Sequence, residues 1–179
     1  MIKTIVVAAA LAITAVALSA QEPTKGTLAG VTNFARVETT IACAGAIDAA
    51  VAVPEIKKLG FVSVINFREA TENGANVDQE RQIVEAAGLK YIHIPMNSSK
   101  PDPKVADTFL AAMAVPGSQP AFIHCASGNR AAAIWMIKRI VLDKWDADQA
   151  GKEAAALGLT NPALRQFALD YAQQKATTR

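Results

Sequence analysis

Short apolar runs alternate along the chain with segments in which apolar residues recur at helical spacing. Two runs, at residues 61–67 and 121–123, are almost continuously apolar, as expected for strands whose two sheet faces are both covered, and a third strand is predicted at residues 89–95. A fourth segment, at residues 37–42, is rich in residues that favour strands. We expect it to form an edge strand that opens the domain.

Helical segments lie between these runs and after the last one. Gly60 and Gly88 are placed to end two of them, Pro54 interrupts the first, and Asp102 before Pro103 is typical of a helix start. Because strands and helices alternate, we predict an α/β fold with a mainly parallel central sheet and helices on both faces. The predicted helices cover residues 48–59, 77–87, 103–114, 131–141, 146–157 and the segment that begins at 161.

The run at residues 121–123 leads into a tight loop that joins a strand to a helix. A loop wrapped around a helix N-terminus points several backbone N–H groups at one place, where the helix dipole is positive. This arrangement favours a bound anion, and it also stabilises a thiolate. The segment consists of His124, Cys125, Ala126, Ser127, Gly128, Asn129 and Arg130.

Cys125 is the residue of this loop that suggests a reaction. A thiolate inside an anion site is the nucleophile required for attack on phosphorus, or on the outer sulfur of thiosulfate. The alternative is a buried cysteine that happens to precede a turn, but it leaves the combination of His, Cys, Gly and Arg unexplained. We therefore interpret the loop as a nucleophile site.

The loop resembles the signature of the cysteine-dependent protein tyrosine and dual-specificity phosphatases. The similarity is strongest to a small bacterial branch that is fused to, or found beside, metallo-β-lactamase-like hydrolases. Two flanking segments, residues 60–68 and 87–95, are similar to that branch's strands G-hydrophobic-x-x-V-I-N-L-R and G-L-x-Y-x-x-I-P, and the resemblance covers about residues 35–172. The loop residues that carry it are His124, Cys125, Gly128 and Arg130.

The resemblance implies a role for each residue of the loop. Cys125 would attack phosphorus, the Arg130 guanidinium would bind the oxyanion with two hydrogen bonds, and His124 would point away from the substrate and tune the cysteine. Asp102 would protonate the leaving oxygen, with Asp107 as the weaker alternative. No cofactor is implied, and the phosphorylated substrate is not identified. The backbone N–H groups that would bind the anion are those of Ala126, Ser127, Gly128, Asn129 and Arg130.

One difference from the phosphatase signature leaves the reaction open. That signature has one residue more between Cys and Arg than the four found here, and Ala131 replaces its following Ser or Thr. Rhodanese sulfurtransferases also use a shorter loop, so a persulfide carrier on Cys125 with a sulfur-containing anionic substrate is the first alternative. A catalytically inert module that binds an anion or a partner protein is the second.

Arg68 follows the strand at residues 61–67, and ligands of open α/β sheets bind beyond the carboxyl ends of strands. It is therefore a candidate second contact for the anion, with a surface ion pair to Glu69 or Glu72 as the equal alternative. The chain has two histidines and two cysteines, and one His is adjacent to one Cys, which is not the spacing of a zinc site. We predict no metal.

Length and charge limit the function classes. The 179 residues carry a formal net charge of +2, and residues 1–20 contain a single charged residue, Lys3, so the rest carries +1. No basic surface for nucleic acid is predicted from this balance. The length fits one domain with an extension.

The N-terminal residues predict export. Lys3 precedes an uncharged apolar run at residues 4–18 and small residues up to Ala20, a pattern typical of a secretory signal peptide. An uncleaved membrane anchor is the alternative, because the run is near the shortest that spans a bilayer. We expect a signal peptide at 1–20, a linker or N-terminal arm at 21–36 and a catalytic domain at 37–175, in a periplasmic or secreted protein with no stable membrane association after cleavage.

An oxidising compartment would permit a disulfide between the two cysteines, Cys43 and Cys125. A nucleophile in a disulfide would be inactive until it was reduced. The favoured interpretation is that Cys43 is a small buried hydrophobic residue.

Overall fold

The computed structural model describes residues 22–37 and 40–178; the predicted signal peptide at 1–20 lies outside the described residues. Six strands and six helices alternate along most of the described chain. The strands are β1 (Thr24–Lys25), β2 (Ala35–Val37), β3 (Ile41–Ala44), β4 (Ser63–Asn66), β5 (Lys90–His93) and β6 (Ala121–His124). The helices are α1 (Ala49–Lys58), α2 (Val77–Ala86), α3 (Pro103–Ala114), α4 (Asn129–Val141), α5 (Ala147–Ala156) and α6 (Pro162–Thr177).

The strands form one sheet in the order β1-β2-β3-β6-β4-β5. The three pairs among β3, β6, β4 and β5 are parallel, whereas β1 and β2 add an antiparallel edge. The predicted mainly parallel sheet is therefore confirmed. In a parallel sheet the carboxyl ends of the strands lie along one edge, and the helices that follow them begin there.

Two helical layers cover the sheet. Side chains of β3 alternate between the two sides, with Ile41 and Cys43 in one core cluster and Ala42 and Ala44 in the other. Helices α3 to α6 contribute to the first cluster, and α1 and α2 to the second. The predicted placement of helices on both faces is thus correct, and α4, whose residues 130–138 are all buried, lies in the larger core.

The single edge strand predicted at residues 37–42 is wrong. Val37 ends β2 and Ile41 begins β3, and Thr40 donates its backbone N–H to the Val37 carbonyl at 3.0 Å. That turn reverses the chain, so β3 pairs with both β2 and β6 inside the sheet. The apolar pattern alone does not reveal the turn, because both strands that it joins are buried.

The segment at 21–36, predicted as a linker or arm, contains β1 and the first residues of β2. Thr24 and Lys25 pair with Arg36 and Ala35 in antiparallel register. Both residues of β1 are exposed, so the strand leaves no apolar pattern in the sequence.

Pro54 does not interrupt α1, which runs from Ala49 to Lys58 through it. Proline removes the hydrogen bond to the carbonyl of the residue four positions earlier, here Ala50. Both Ala50 and Pro54 are exposed, so water can reach that carbonyl. Among the described residues, no helix is long and apolar enough to cross a bilayer.

Candidate active site

Residues 125–130, the cysteine loop, connect the end of β6 to the first turn of α4. Cys125 is fully buried, and its Sγ accepts a hydrogen bond from the Gly128 N–H at 3.1 Å. Gly128 has φ +96°, a backbone conformation that favours glycine. The loop therefore points at least one N–H group at the sulfur, as the sequence predicted for a thiolate site.

Hydrogen bonds from Ala46, just after β3, and from the Asn33 side chain fix the orientation of the cysteine loop. The Ala46 N–H donates to the Ala126 carbonyl at 3.0 Å, and the Asn33 side chain donates to the Ser127 carbonyl at 3.1 Å. In a planar trans peptide the next N–H points the opposite way. The N–H groups of Ser127 and Gly128 therefore point away from Ala46 and Asn33, and that of Gly128 reaches the Cys125 Sγ.

Arg130 lies against the inner side of the loop with its guanidinium almost fully buried. Nη1 donates to the Phe67 and Met96 carbonyls at 3.0 and 2.8 Å, and the Nη atoms bind both carboxylate oxygens of Glu72 at 2.5 and 2.8 Å. Burial opposes the charge, but the hydrogen bond that Arg130 donates to Glu72 and the attraction of Cys125 and Glu72 raise the pKa of Arg130 overall. The guanidinium thus forms an ion pair with a partly buried carboxylate and is attracted electrostatically by the candidate nucleophile.

Glu72 is a site residue that the sequence analysis did not identify. It lies between β4 and α2, 58 residues before Arg130, and the Glu69 N–H also donates to it at 2.7 Å. The hydrogen bond from Arg130, opposed by burial, lowers the pKa of Glu72 to about 2. No spacing in the sequence indicates this pair, because it depends on how the loop after β4 packs against the start of α4.

Arg68 contacts the loop at residues 69–74. Its guanidinium donates to the Asn73 and Gly74 carbonyls at 2.6 and 2.9 Å, and more weakly to Glu72 at 3.4 Å. The side chain is buried, so the ion pair with Glu72 that we considered is present, but not on the surface. Arg68 is linked to Arg130 through their shared partner Glu72.

The two candidate acids, Asp102 and Asp107, have different surroundings. Asp102 is exposed and caps α3 by accepting from the Lys104 N–H at 2.9 Å. Asp107 accepts from the Tyr171 hydroxyl and pairs with Lys175, both at 2.7 Å. The hydrogen bonds from Lys175 and Tyr171 lower the pKa of Asp107. A carboxyl that is held ionised is a poor proton donor, so this geometry disfavours Asp107 as the acid.

His124 lies on the opposite face of the sheet from Cys125, as successive residues of a strand do. It is fully buried, and its Nε2 is 2.8 Å from Glu80 of α2. Glu80 also accepts from Asn66 at 3.2 Å, and Asn66 donates to the Tyr91 hydroxyl at 3.1 Å. This network joins β4, β5 and β6 to α2. His93 is hydrogen-bonded to the Arg68 carbonyl at 2.7 Å, a structural role.

Asn129 connects the cysteine loop to the start of α6. Its side-chain oxygen accepts from the Thr160 and Asn161 N–H groups, each at 2.7 Å, while its amide nitrogen donates to the Ser127 hydroxyl at 3.4 Å. Ser127 is exposed and Asn129 half-buried. The side chain therefore positions the loop, whereas the role predicted for Asn129 concerned its backbone N–H.

Both cysteines are free thiols in the structure. Cys43 pairs with Ile123 in the β3–β6 register, and Ile123 lies two residues before Cys125. By strand geometry the Cα atoms of Cys43 and Cys125 are therefore about 8 Å apart, which is outside disulfide range. Burial, together with the negative charge of Cys125, raises the pKa of Cys43. Cys43 is fully buried. Within the part of the chain that the structure describes, no group of three or more metal-ligating side chains is present.

A protein-family model matches more than half of the chain. The family model of the beta-lactamase hydrolase-like protein, phosphatase-like domain, matches residues 33–141. No curated protein matches the chain significantly in sequence.

Solved structures share the fold at low sequence identity. A protein from Shewanella putrefaciens named as a DUF442 phosphatase is 18% identical, with a TM-score of 0.68 over 82% of this chain and 95% of that one. Pseudomonas aeruginosa TpbA in complex with pTyr is 17% identical, with a TM-score of 0.61 over 80% and 90%. The catalytic core of the Saccharomyces cerevisiae PP-IP phosphatase SIW14, solved with citrate, is 17% identical, with a TM-score of 0.65 over 85% and 94%.

Proposed function

The chain belongs to the family of phosphatase-like domains of beta-lactamase hydrolase-like proteins, and from this premise we propose that it is an exported phosphatase that cleaves phosphate monoesters through a cysteinyl-phosphate intermediate. The arrangement of Cys125, whose Sγ accepts from the Gly128 N–H, and the anchored Arg130 at the start of the following helix carries the proposal. The guanidinium is held by Glu72 and two carbonyls, and the electrostatic attraction of Cys125 contributes to the raised pKa of Arg130. A fixed cation beside a nucleophile is suited to an anionic substrate.

The reaction would have two steps. The Cys125 thiolate attacks phosphorus, the bond from phosphorus to the ester oxygen breaks, and Asp102 gives its proton to the leaving alcohol. Water then attacks the cysteinyl phosphate, Asp102 accepts its proton, and the phosphorus–sulfur bond breaks to restore the thiolate. Arg130 and the N–H groups of the cysteine loop stabilise the oxygens in both transition states.

Export is part of the proposal and rests on residues 1–20. The short positive start, apolar run and small residues are those of a signal peptide. Expression of the full chain in a bacterium, followed by fractionation and N-terminal sequencing, tests it. A mature protein in the periplasm or medium that begins near residue 21 supports export, and a cytoplasmic protein that begins at Met1 contradicts it.

A sulfurtransferase is the second candidate, favoured by the four residues between Cys125 and Arg130. A loop this short has fewer N–H groups for the three equatorial oxygens of a phosphoryl group. In this reaction the thiolate attacks the outer sulfur of thiosulfate, the sulfur–sulfur bond breaks, and sulfite leaves. Cyanide then removes the sulfur from the persulfide as thiocyanate and restores the thiolate. This reaction needs no general acid.

Parallel assays of the reduced protein decide between these functions. Phosphate release from p-nitrophenyl phosphate that is lost in Cys125→Ser supports the phosphatase. Formation of thiocyanate from thiosulfate and cyanide without phosphate release assigns the sulfurtransferase. Phosphate or sulfate binding that survives in Cys125→Ser, with neither reaction in the wild type, would indicate an inert binding module.

A further inference from the structure

A cavity of about 590 Å³ lies beside the cysteine loop, and no role assigned above uses it. Ser127 and Asn129 form part of its wall, so it shares two residues with the anion site. A volume of several hundred Å³ is typical of a site for a small molecule or a substrate side chain. The remaining wall comes from the N-terminal segment and the α5–α6 connection: Lys25, Gly26, Asn33, Phe34, Ala35, Ala156, Leu157, Gly158 and Thr160.

The walls of this cavity combine apolar surface with one charge. Phe34, Ala35 and Leu157 supply the apolar part. Lys25 is the single charged residue in the lining, it is exposed, and none of the ion pairs among the described residues includes it. A matching group would be partly apolar and would carry a negative charge.

The N-terminal segment that carries Lys25 is fixed to the cysteine loop. The Gly45 N–H donates to the Thr32 carbonyl at 2.8 Å, and the Thr32 N–H to the Ala46 carbonyl at 3.0 Å. Asn33, which donates to the Ser127 carbonyl at 3.1 Å, has φ +50°, a conformation that a non-glycine residue keeps only when its contacts hold it there. A group bound in the cavity is therefore held at a defined distance from the anion site.

We propose that this cavity binds the leaving group of the phosphomonoester substrate, and that Lys25 selects leaving groups with a second negative charge. This inference rests on the proposed phosphatase function. The phosphoryl group occupies the cysteine loop, the apolar part of the leaving group packs against Phe34 and Leu157, and its distal anion approaches the Lys25 ammonium. The segment at 24–35 is then a specificity element.

Two aryl phosphates that differ only in charge test the inference: N-acetyl-O-phosphotyrosine, with a free carboxylate, and its carboxamide. The wild-type protein should show a kcat/KM about two- to fivefold higher for the carboxylate, as expected for one exposed charge pair, and the ratio should fall as salt is added. Lys25→Met should bring the ratio to one, and Lys25→Glu should reverse it. Lys58→Met, which removes an exposed charge outside the cavity, should keep the wild-type ratio.

The outcomes that would contradict the role of Lys25 differ from the one that would contradict the phosphatase function. Hydrolysis of both esters with a ratio that Lys25→Met leaves unchanged overturns the role of Lys25 but not the phosphatase. Equal kcat/KM values in the wild-type protein also overturn the selectivity alone. If neither ester nor p-nitrophenyl phosphate is hydrolysed, the proposed function fails and this inference fails with it.

Discussion

At the scale of single residues, Arg130 has to form an ion pair with Glu72 and keep other N–H donors available for a substrate. Glu72 and two backbone carbonyls occupy one side of the guanidinium. Its planar fork presents five donors in fixed directions, and the hydrogen bonds of the described residues use Nη1 and Nη2 but not Nε, so donors remain available to a substrate. The carboxylate also compensates the buried charge when no anion is bound. Glu72 is thus a positioning residue that acts through Arg130.

Arg130→Lys should lower activity far more than the retained charge suggests. A lysine ammonium cannot bind Glu72 and the phosphoryl oxygens in the same plane. We expect kcat on p-nitrophenyl phosphate to fall about a hundredfold or more, with a smaller change in KM. Turnover like that of the wild type would remove Arg130 from the site.

Glu72→Gln should change how stability depends on pH. The pKa of Glu72 is about 2 in the folded protein, below the ordinary value of 4.5, so its contribution to stability is complete above about pH 4.5 and is lost as the pH falls towards 2. The free energy of unfolding should decrease less over this window in Glu72→Gln than in the wild type, as measured by urea denaturation at several pH values. Glu85→Gln, at an exposed position of α2, is the control and should follow the wild type.

Asp102→Asn tests the role of Asp102 as proton donor separately from its role as the N-cap of α3, because it removes the acid and keeps a capping side chain. Asn and Asp cap helices about equally well, so the fold should be retained. The rate should drop about a hundredfold on an alkyl phosphate and change little on p-nitrophenyl phosphate, whose leaving group needs no proton. Equal small losses on both substrates would mean that Asp102 only caps the helix, and a sulfurtransferase would then gain support.

At the scale of elements, the carboxyl end of β3 and the N-terminal segment form a frame for the cysteine loop. Gly45 makes a bridge with Ser127, and a Cβ at position 45 would lie 2.4 Å from the Thr32 hydroxyl and 3.1 Å from the Ala126 carbonyl. Thr32 cannot easily move, because its hydroxyl donates to the Ala46 carbonyl at 3.0 Å. The close approach of these three segments therefore requires glycine.

Gly45→Ala should destabilise the protein by about 1–3 kcal/mol through this overpacking, and it should also lower kcat because the cysteine loop is displaced. Gly26→Ala, in the N-terminal segment, is the control, since the nearest atom to its added Cβ is 3.7 Å away. Urea denaturation of both variants measures the difference. Equal free energies of unfolding for the two variants would contradict the requirement for glycine at position 45.

At the scale of the whole molecule, the local sequence patterns predicted the sheet and the helical layers that cover it. They did not predict the contacts between residues that are far apart in the sequence. The alternation of apolar runs and helical segments predicted α3 with its bounds and the parallel core, since each element carries its own periodicity and caps. The strand β1 was missed because its two residues are exposed. The prediction that Pro54 interrupts α1 was wrong because water can reach the Ala50 carbonyl that loses its hydrogen bond. Glu72 was missed because its partner is 58 residues away.

The measurement that tests the central claim most directly is the covalent state of Cys125 during turnover. The reduced protein is mixed with p-nitrophenyl phosphate, quenched within the first turnovers in denaturant, and digested for mass spectrometry, with the Cys43 peptide as internal control. The account predicts that the Cys125 peptide alone gains the mass of a phosphoryl group and that Cys125→Ser shows no such gain. An unmodified Cys125 peptide during sustained phosphate release, or a gain of one sulfur atom after thiosulfate with no phosphate release, would contradict it.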